Sequence, residues 1–366
     1  MKRTLLAIFI LSLAVHAAER RAKNVILFIG DAGGVPTLHA ASLYGHKDPQ
    51  KLYIQNMPHI ALVDTSPADA WVTDSAAGMT AIVTGQKTNN GVISQSASAV
   101  KGQTDGETLE TLLEFAEQHG LSTGVLSNMS MVDATPAACY AHSNDRGKAG
   151  EIFAQILSPR AGDGVDLVIG AGRKQILAAT EKMGLNIADA LSKKGYAFYD
   201  SPGAIQPNDR RVVALFDSGD YEAWPAVERA ISILSRNNKG YFLMVEWDMH
   251  TTNTKRGLDR VLEMDDVIRK VAGTVKNDTL LLFAADHSFD LRVRGGRKGD
   301  VLIPEPGEAK PKIRVDNGHT GEQVLAAAQG PGAERVHGFI RNTDLFQIMM
   351  AAYGWTKPAV SFATGR

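Results

Sequence analysis

Asp31, Asp133, Thr135, Glu246, Asp248, His250, Asp286, His287 and His319 fall in short segments that lie far apart in the chain. Their carboxylates, imidazoles and hydroxyl are the groups that bind divalent cations. Among them stands Ser75, in Val72-Thr-Asp-Ser-Ala-Ala77. The Ala-rich continuation to Val83 predicts a helix with this serine at its N-terminus, where free N–H groups and the positive dipole end favour an alkoxide and a bound phosphate. A serine in that position is ordinarily a helix cap. Here no histidine-based triad accompanies it while metal ligands are abundant, and a metal can activate a hydroxyl in place of a base. The combination points to metal-dependent phosphate chemistry through a serine nucleophile. Carboxylates mixed with imidazoles suit zinc, whereas Asp, Glu and Thr oxygens alone suit magnesium. Two metals about 3.5–4 Å apart can stabilise both the attacking and the leaving oxygen of an in-line displacement.

The elements that must hold these groups are short apolar runs ending in an acid or a glycine: 24–31, 122–128, 165–172, 241–246 and 278–286. Continuous rather than alternating hydrophobicity marks buried parallel strands. Helical patterns fall between them, at 108–119 (Leu109, Leu112, Leu113 and Ala116 on one face, Gly120 as the stop), 257–271 and 344–353. Strands alternating with helices predict an α/β fold with a mostly parallel central sheet and helices on both faces. Ligands of such sheets bind at the carboxyl ends of the strands. Asp31, Glu246 and Asp286 each close one of the runs. The stretch 292–314, rich in Gly, Pro and basic residues, reads as a solvated surface loop.

The 366 residues, 44% hydrophobic and 22% charged, suffice for a substantial core. Because the candidate ligands span the chain, one domain over residues 18–366 is expected. Lys2-Arg3, the apolar run 4–15 and the small residues before Ala18 predict a signal peptide cut after Ala17, hence a periplasmic or secreted protein. Cleavage there removes two basic residues and no acid, taking the formal charge from −1 to −3. Nothing in that balance calls for a nucleic-acid or membrane partner. Cys139, the only cysteine, sits in an apolar context and reads as a buried, inert thiol.

Taken in order, Gly30-Asp31, Val72-Thr-Asp-Ser-Ala-Ala77, Gly85-Gln-Lys-Thr-Asn89, Asp133-Ala-Thr-Pro-Ala137, Asp286-His287 and His319-Thr-Gly321 resemble the alkaline phosphatase family along nearly the whole chain after residue 17. The resemblance implies a phosphomonoesterase with two zinc ions and one magnesium, working through a phosphoserine at Ser75. It implies that Asp31 bridges the second zinc and the magnesium, with Asp286 and His287 completing that zinc. Asp133, Thr135 and Glu246 would complete the magnesium site, and Asp248, His250 and His319 would hold the zinc facing the leaving group. Arg146 would clamp the phosphate, oriented by Asp74, and a homodimer is possible. A sulfatase is disfavoured, since no Cys/Ser-x-Pro-x-Arg element surrounds Ser75.

The chain departs from the family pattern in places. The family usually has four residues between its Glu and Asp and three between Asp and His; here they are Glu246-Trp-Asp248-Met-His250. An extended segment would still put these three on one face. The expectation is therefore that Asp248, His250 and His319 converge on one point while Glu246 faces Asp133 and Thr135. Met249 stands where the family often has a basic residue, and Ala32 where it has glycine. The alternatives these departures leave open are a phosphodiesterase of the same superfamily and a catalytically silent protein that binds metal or phosphate.

Overall fold

The computed structural model describes residues 21–305 and 307–356, so the expected signal peptide lies outside the described residues. The strands are β1 (Asn24–Asp31), β2 (His59–Asp64), β3 (Ser122–Ser130), β4 (Leu167–Ala171), β5 (Ala197–Tyr199) and β6 (Val212–Phe216). They continue with β7 (Tyr241–Asp248), β8 (Thr279–Ala285), β9 (Ser288–Val293), β10 (Ile313–Thr320), β11 (Val324–Gln329) and β12 (Gly338–Arg341). Ten of them form one sheet in the order β12-β2-β11-β8-β1-β7-β3-β4-β6-β5, and β9 pairs with β10 in a separate hairpin. β11 runs antiparallel to β2 and β8, and the other nine strands share one direction.

Both faces of the sheet are covered, as continuous apolar strands require. Val25, Leu27 and Ile29 of β1 join an apolar layer with the helices Ser75–Thr84, Leu112–Gln118 and Asn342–Tyr353. Ile26 and Phe28 point the other way, into a layer with Val35–His46, Ala223–Leu234 and Thr254–Thr274. The five runs singled out in the sequence are β8, β1, β7, β3 and β4, which are consecutive in the sheet. In the register, Asp31 stands opposite Asp248 and Gly30 opposite Ala285. Three neighbouring strands thus end level, and their carboxyl ends deliver acids to one edge. The basic stretch expected as a loop over 292–314 is shorter than that: its two ends pair as strand, Val293 with Ile313 and Arg292 with Arg314, and 294–312 links β9 to β10.

One buried acid away from that edge has a measurable consequence. Glu117, in the helix Leu112–Gln118, accepts a hydrogen bond from the Thr123 hydroxyl at 2.5 Å. Burial, with Asp166 and Asp163 nearby, pushes its carboxyl up to about 8. A pKa raised by folding gives stability that is complete below the ordinary glutamate range and lost as pH rises through about 8. Glu117→Gln keeps an acceptor for Thr123 and removes the charge. Thermal unfolding at pH 9 should show the variant melting a few degrees above the parent, with the difference shrinking at pH 5; equal melting at both pH values would refute the assignment.

Candidate active site

The ends of β1, β7 and β8 bring two overlapping sets of metal-binding groups together. Donor atoms of Asp31, Asp286 and His287 lie within 4.8 Å of one another, and so do those of His250, His287 and His319. His287 Nε2 stands 3.2 Å from Asp31 Oδ1 and 3.6 Å from Asp286 Oδ2. His319 reaches the site because the β9–β10 hairpin folds back, placing it opposite Phe289 and stacking its ring on His287 at 3.7 Å between centroids.

Electrostatics mark the cluster as built for cations. Asp31 Oδ1 and Glu246 Oε1 are buried without a hydrogen-bond partner among the described residues. Glu246 is fully buried, and its other oxygen accepts from the Ser127 hydroxyl. Burial, together with Asp31 and Asp133, raises the Glu246 carboxyl well above its ordinary range. Burial and Asp31 likewise raise Asp286 to about 6. Burial would also raise Asp31, but His287, His250 and His319 outweigh it and hold that carboxyl at about 2. Burial opposes the His287 imidazolium, and Asp286 and Asp31 overcome it, bringing the group to about 9. Buried oxygens without partners are costly, and a divalent cation would satisfy them. The donor set therefore fits the metals that the motif series implies.

Ser75 opens the helix Ser75–Thr84, which Asp74 caps by accepting from Ala77 N–H at 3.0 Å. This helix sits close to the end of β8: a Cβ at Gly78 would lie 2.6 Å from the Asp286 carbonyl oxygen. Glycine at that position is what lets Ser75 come within 3.3 Å of His287 Nε2. His287 therefore offers the serine hydroxyl a hydrogen-bond partner. No carboxylate orients it as in a triad, since its Nδ1 faces the Ser288 carbonyl at 3.0 Å.

Arg146 is held between two carboxylates, donating to Asp74 Oδ2 at 3.1 Å and to Asp133 Oδ1 at 2.5 Å. Asp133 also caps the helix Ala134–Tyr140, and Thr135 in its first turn donates to Asp286 Oδ2 at 3.4 Å. The Asp-Ser and Asp-Ala-Thr motifs thus use their acids twice, as helix caps and as clamps on one guanidinium. Ala32, where glycine was the family's usual residue, takes a left-handed φ of 64° and donates its N–H to Asp286 Oδ1 at 3.3 Å.

The contracted segment is where sequence and structure part. His250 and His319 are among the groups whose donor atoms converge, and Asp248 and Glu246 are not; Glu246 still lies close enough to Asp31, Asp133 and Asp286 to feel their charge. The Asp248 carboxylate is instead engaged by Arg260 and by His250. Met249 is fully buried, its sulfur 2.7 Å from where a Gly30 Cβ would be. That position faces the core, so a basic residue there would not meet a phosphate in this backbone conformation. Arg260, Ser127 and Gly91, whose N–H donates to Asp74 Oδ2 at 3.0 Å, were not singled out from the sequence. Only helical spacing, with Arg256, Arg260 and Glu263 recurring along 254–274, hinted that a charged face was present. Cys139 is buried, and burial raises its thiol further, in keeping with an inert role.

The alkaline phosphatase family model matches residues 22–313. Similar proteins include the alkaline phosphatase of Escherichia coli K12, 28% identical over 92% of this chain and 87% of that protein. That of Gadus morhua is 30% identical over 74% of this chain and 70% of its own length. Among solved structures, a TAB5 alkaline phosphatase mutant with Mg bound in its M3 site superposes with a TM-score of 0.79 at 23% identity, over 92% of this chain and 99% of that one. With the motif series spread along one sheet edge and the family model covering most of the chain, the protein belongs to the alkaline phosphatase family and is a phosphoric monoester hydrolase.

Proposed function

We propose that Ser75 accepts the phosphoryl group of a monoester, at a site where Asp31, Asp286 and His287 hold one zinc ion and His250 and His319 help to hold a second. Asp31, Asp133, Thr135 and Glu246 would hold magnesium. The observation that carries this reading is the placement of Ser75 at a helix N-terminus, 3.3 Å from His287 Nε2, beside buried carboxylate oxygens with no other partner. Metals bound there would polarise the phosphoryl oxygens and favour the ionised serine. Ser75 Oγ attacks phosphorus in line and the ester oxygen departs opposite, leaving a phosphoserine for water to open. Arg146, fixed from behind by Asp74 and Asp133, turns its remaining N–H groups toward the phosphate oxygens. The phosphodiesterase alternative rests on Met249, which is buried in the core. Rates on matched mono- and diesters test the choice: the monoester should be hydrolysed much faster, and equal rates or a preference for the diester would contradict it.

Arg146→Ala should raise KM about 10- to 100-fold, the value of hydrogen bonds to a charged group, with a smaller change in kcat. The clamp acts on ground state and transition state alike. Inhibition by inorganic phosphate should weaken in parallel, and unchanged inhibition would mean that another group binds the anion.

Residues 1–17 are read as an export signal and the remainder as one catalytic domain. Among the described residues no helix is long and apolar enough to cross a membrane. Sequencing the N-terminus of the exported protein tests this: it should begin at Ala18.

A further inference from the structure

The three site imidazoles share a feature that assigns Asp248 a role other than ligand. His287 Nδ1 faces the Ser288 carbonyl at 3.0 Å, and His319 Nδ1 faces the Thr73 carbonyl at 2.9 Å. His250 Nδ1 faces Asp248 Oδ1 at 2.8 Å, nearer than Asp31 Oδ1 at 3.7 Å. A carbonyl or carboxylate oxygen accepts, so each ring donates from Nδ1, which leaves Nε2 as the nitrogen that a cation would take in place of a proton. Donor atoms of the same three rings lie within 4.8 Å of one another.

Asp248 is itself held on every side. Its Oδ1 also accepts the His250 backbone N–H at 3.0 Å, its Oδ2 takes Arg260 Nη1, and its own N–H donates to Asn128 Oδ1 at 2.8 Å. Arg260 is nearly buried and reaches Asp220 Oδ1 at 3.4 Å with its other nitrogen. Both carboxylate oxygens are thus occupied, and Asp248 is absent from both converging donor sets.

The geometry points to an Arg260–Asp248–His250 relay in which Asp248 is a positioning residue: it fixes the His250 tautomer and ring angle so that Nε2 binds zinc. Arg260 locks the carboxylate in turn. The inference rests on the two-zinc reading proposed above. It also gives the contracted spacing a physical sense: one carboxylate moves from the metal to the imidazole behind it, the arrangement that orients metal-bound histidines in general.

Zinc titration of metal-stripped protein, followed by calorimetry, separates the possibilities. Asp248→Asn keeps an acceptor for Nδ1–H, and Arg260→Met removes only the lock. Both should bind as many zinc ions as the parent, with the affinity of one site reduced about 10- to 100-fold. His250→Ala should lose one zinc outright. In the zinc-loaded parent, two-bond proton–nitrogen NMR correlations of the His250 ring should show Nδ1 protonated and Nε2 metal-bound. Loss of a whole zinc in Asp248→Asn, or a His250 bound through Nδ1, would overturn the relay while leaving the two-zinc reading intact. A parent that binds fewer than two zinc ions would overturn both.

Discussion

Ser75→Ala lowers kcat by a factor on the order of 10³ to 10⁶, the range seen when a covalent nucleophile is removed from an otherwise intact site, and leaves metal content and melting temperature unchanged. The separation follows from where Ser75 sits. The helix is capped by Asp74, whose side chain accepts from Ala77 N–H, so loss of the serine hydroxyl leaves the cap in place. Alanine is also the stronger helix former. Asp31, Asp286 and the three imidazoles supply the converging donor atoms, and the substitution changes none of them. Elemental analysis beside steady-state rates checks both halves of the prediction. A variant that loses metal along with activity would make Ser75 a ligand first and a nucleophile second.

Stripping divalent metal should abolish turnover and destabilise the fold, increasingly as pH rises. Without cations, Asp31, Glu246 and Asp286 face one another in a buried space, with Asp286 raised to about 6 and Glu246 raised further. Groups whose folded pKa is raised contribute stability at low pH that is lost as pH climbs through the folded value. His287, held up at about 9 by the same acids, loses its contribution in the same direction. Asp31, held at about 2, titrates too low to alter the trend. Metal-free protein should therefore melt progressively lower between pH 5 and pH 9, while metal-loaded protein changes little. With zinc at roughly a thousand times its dissociation constant, binding adds about 4 kcal/mol, or on the order of 10 °C in Tm. Scanning calorimetry with and without chelator measures the gap. A gap independent of pH would mean that the acids are not what the metals neutralise.

The sequence was most readable where physics is most restrictive. A strand buried on both faces must be continuously apolar, and the five runs read that way are the five consecutive strands around the site. What escaped was β2, β11 and β12 on one flank and β5 and β6 on the other. Gly338–Arg341 and Ala197–Tyr199 are only four and three residues long. Val212–Phe216 is fully buried but so short that its run could belong to a helix. The site divides in the same way. Asp31, Asp286 and His287 were legible because strand ends are where such sheets bind ligands. The place of Asp248 was not, because it is decided by Arg260, twelve residues on and inside the helix Thr254–Thr274. Alternation correctly sends Trp247 and Met249 into the core, but it cannot say whether a carboxylate on the other face meets a metal, an arginine or an imidazole.

The most direct test is to mix the metal-loaded enzyme with a ³²P-labelled monoester, quench in acid within one turnover, and map the labelled peptide. Radiolabel is expected on the peptide containing Ser75, recovered as phosphoserine and absent from Ser75→Ala. Full monoester turnover with no label on Ser75 under these conditions, or a label that persists in the alanine variant, would contradict it.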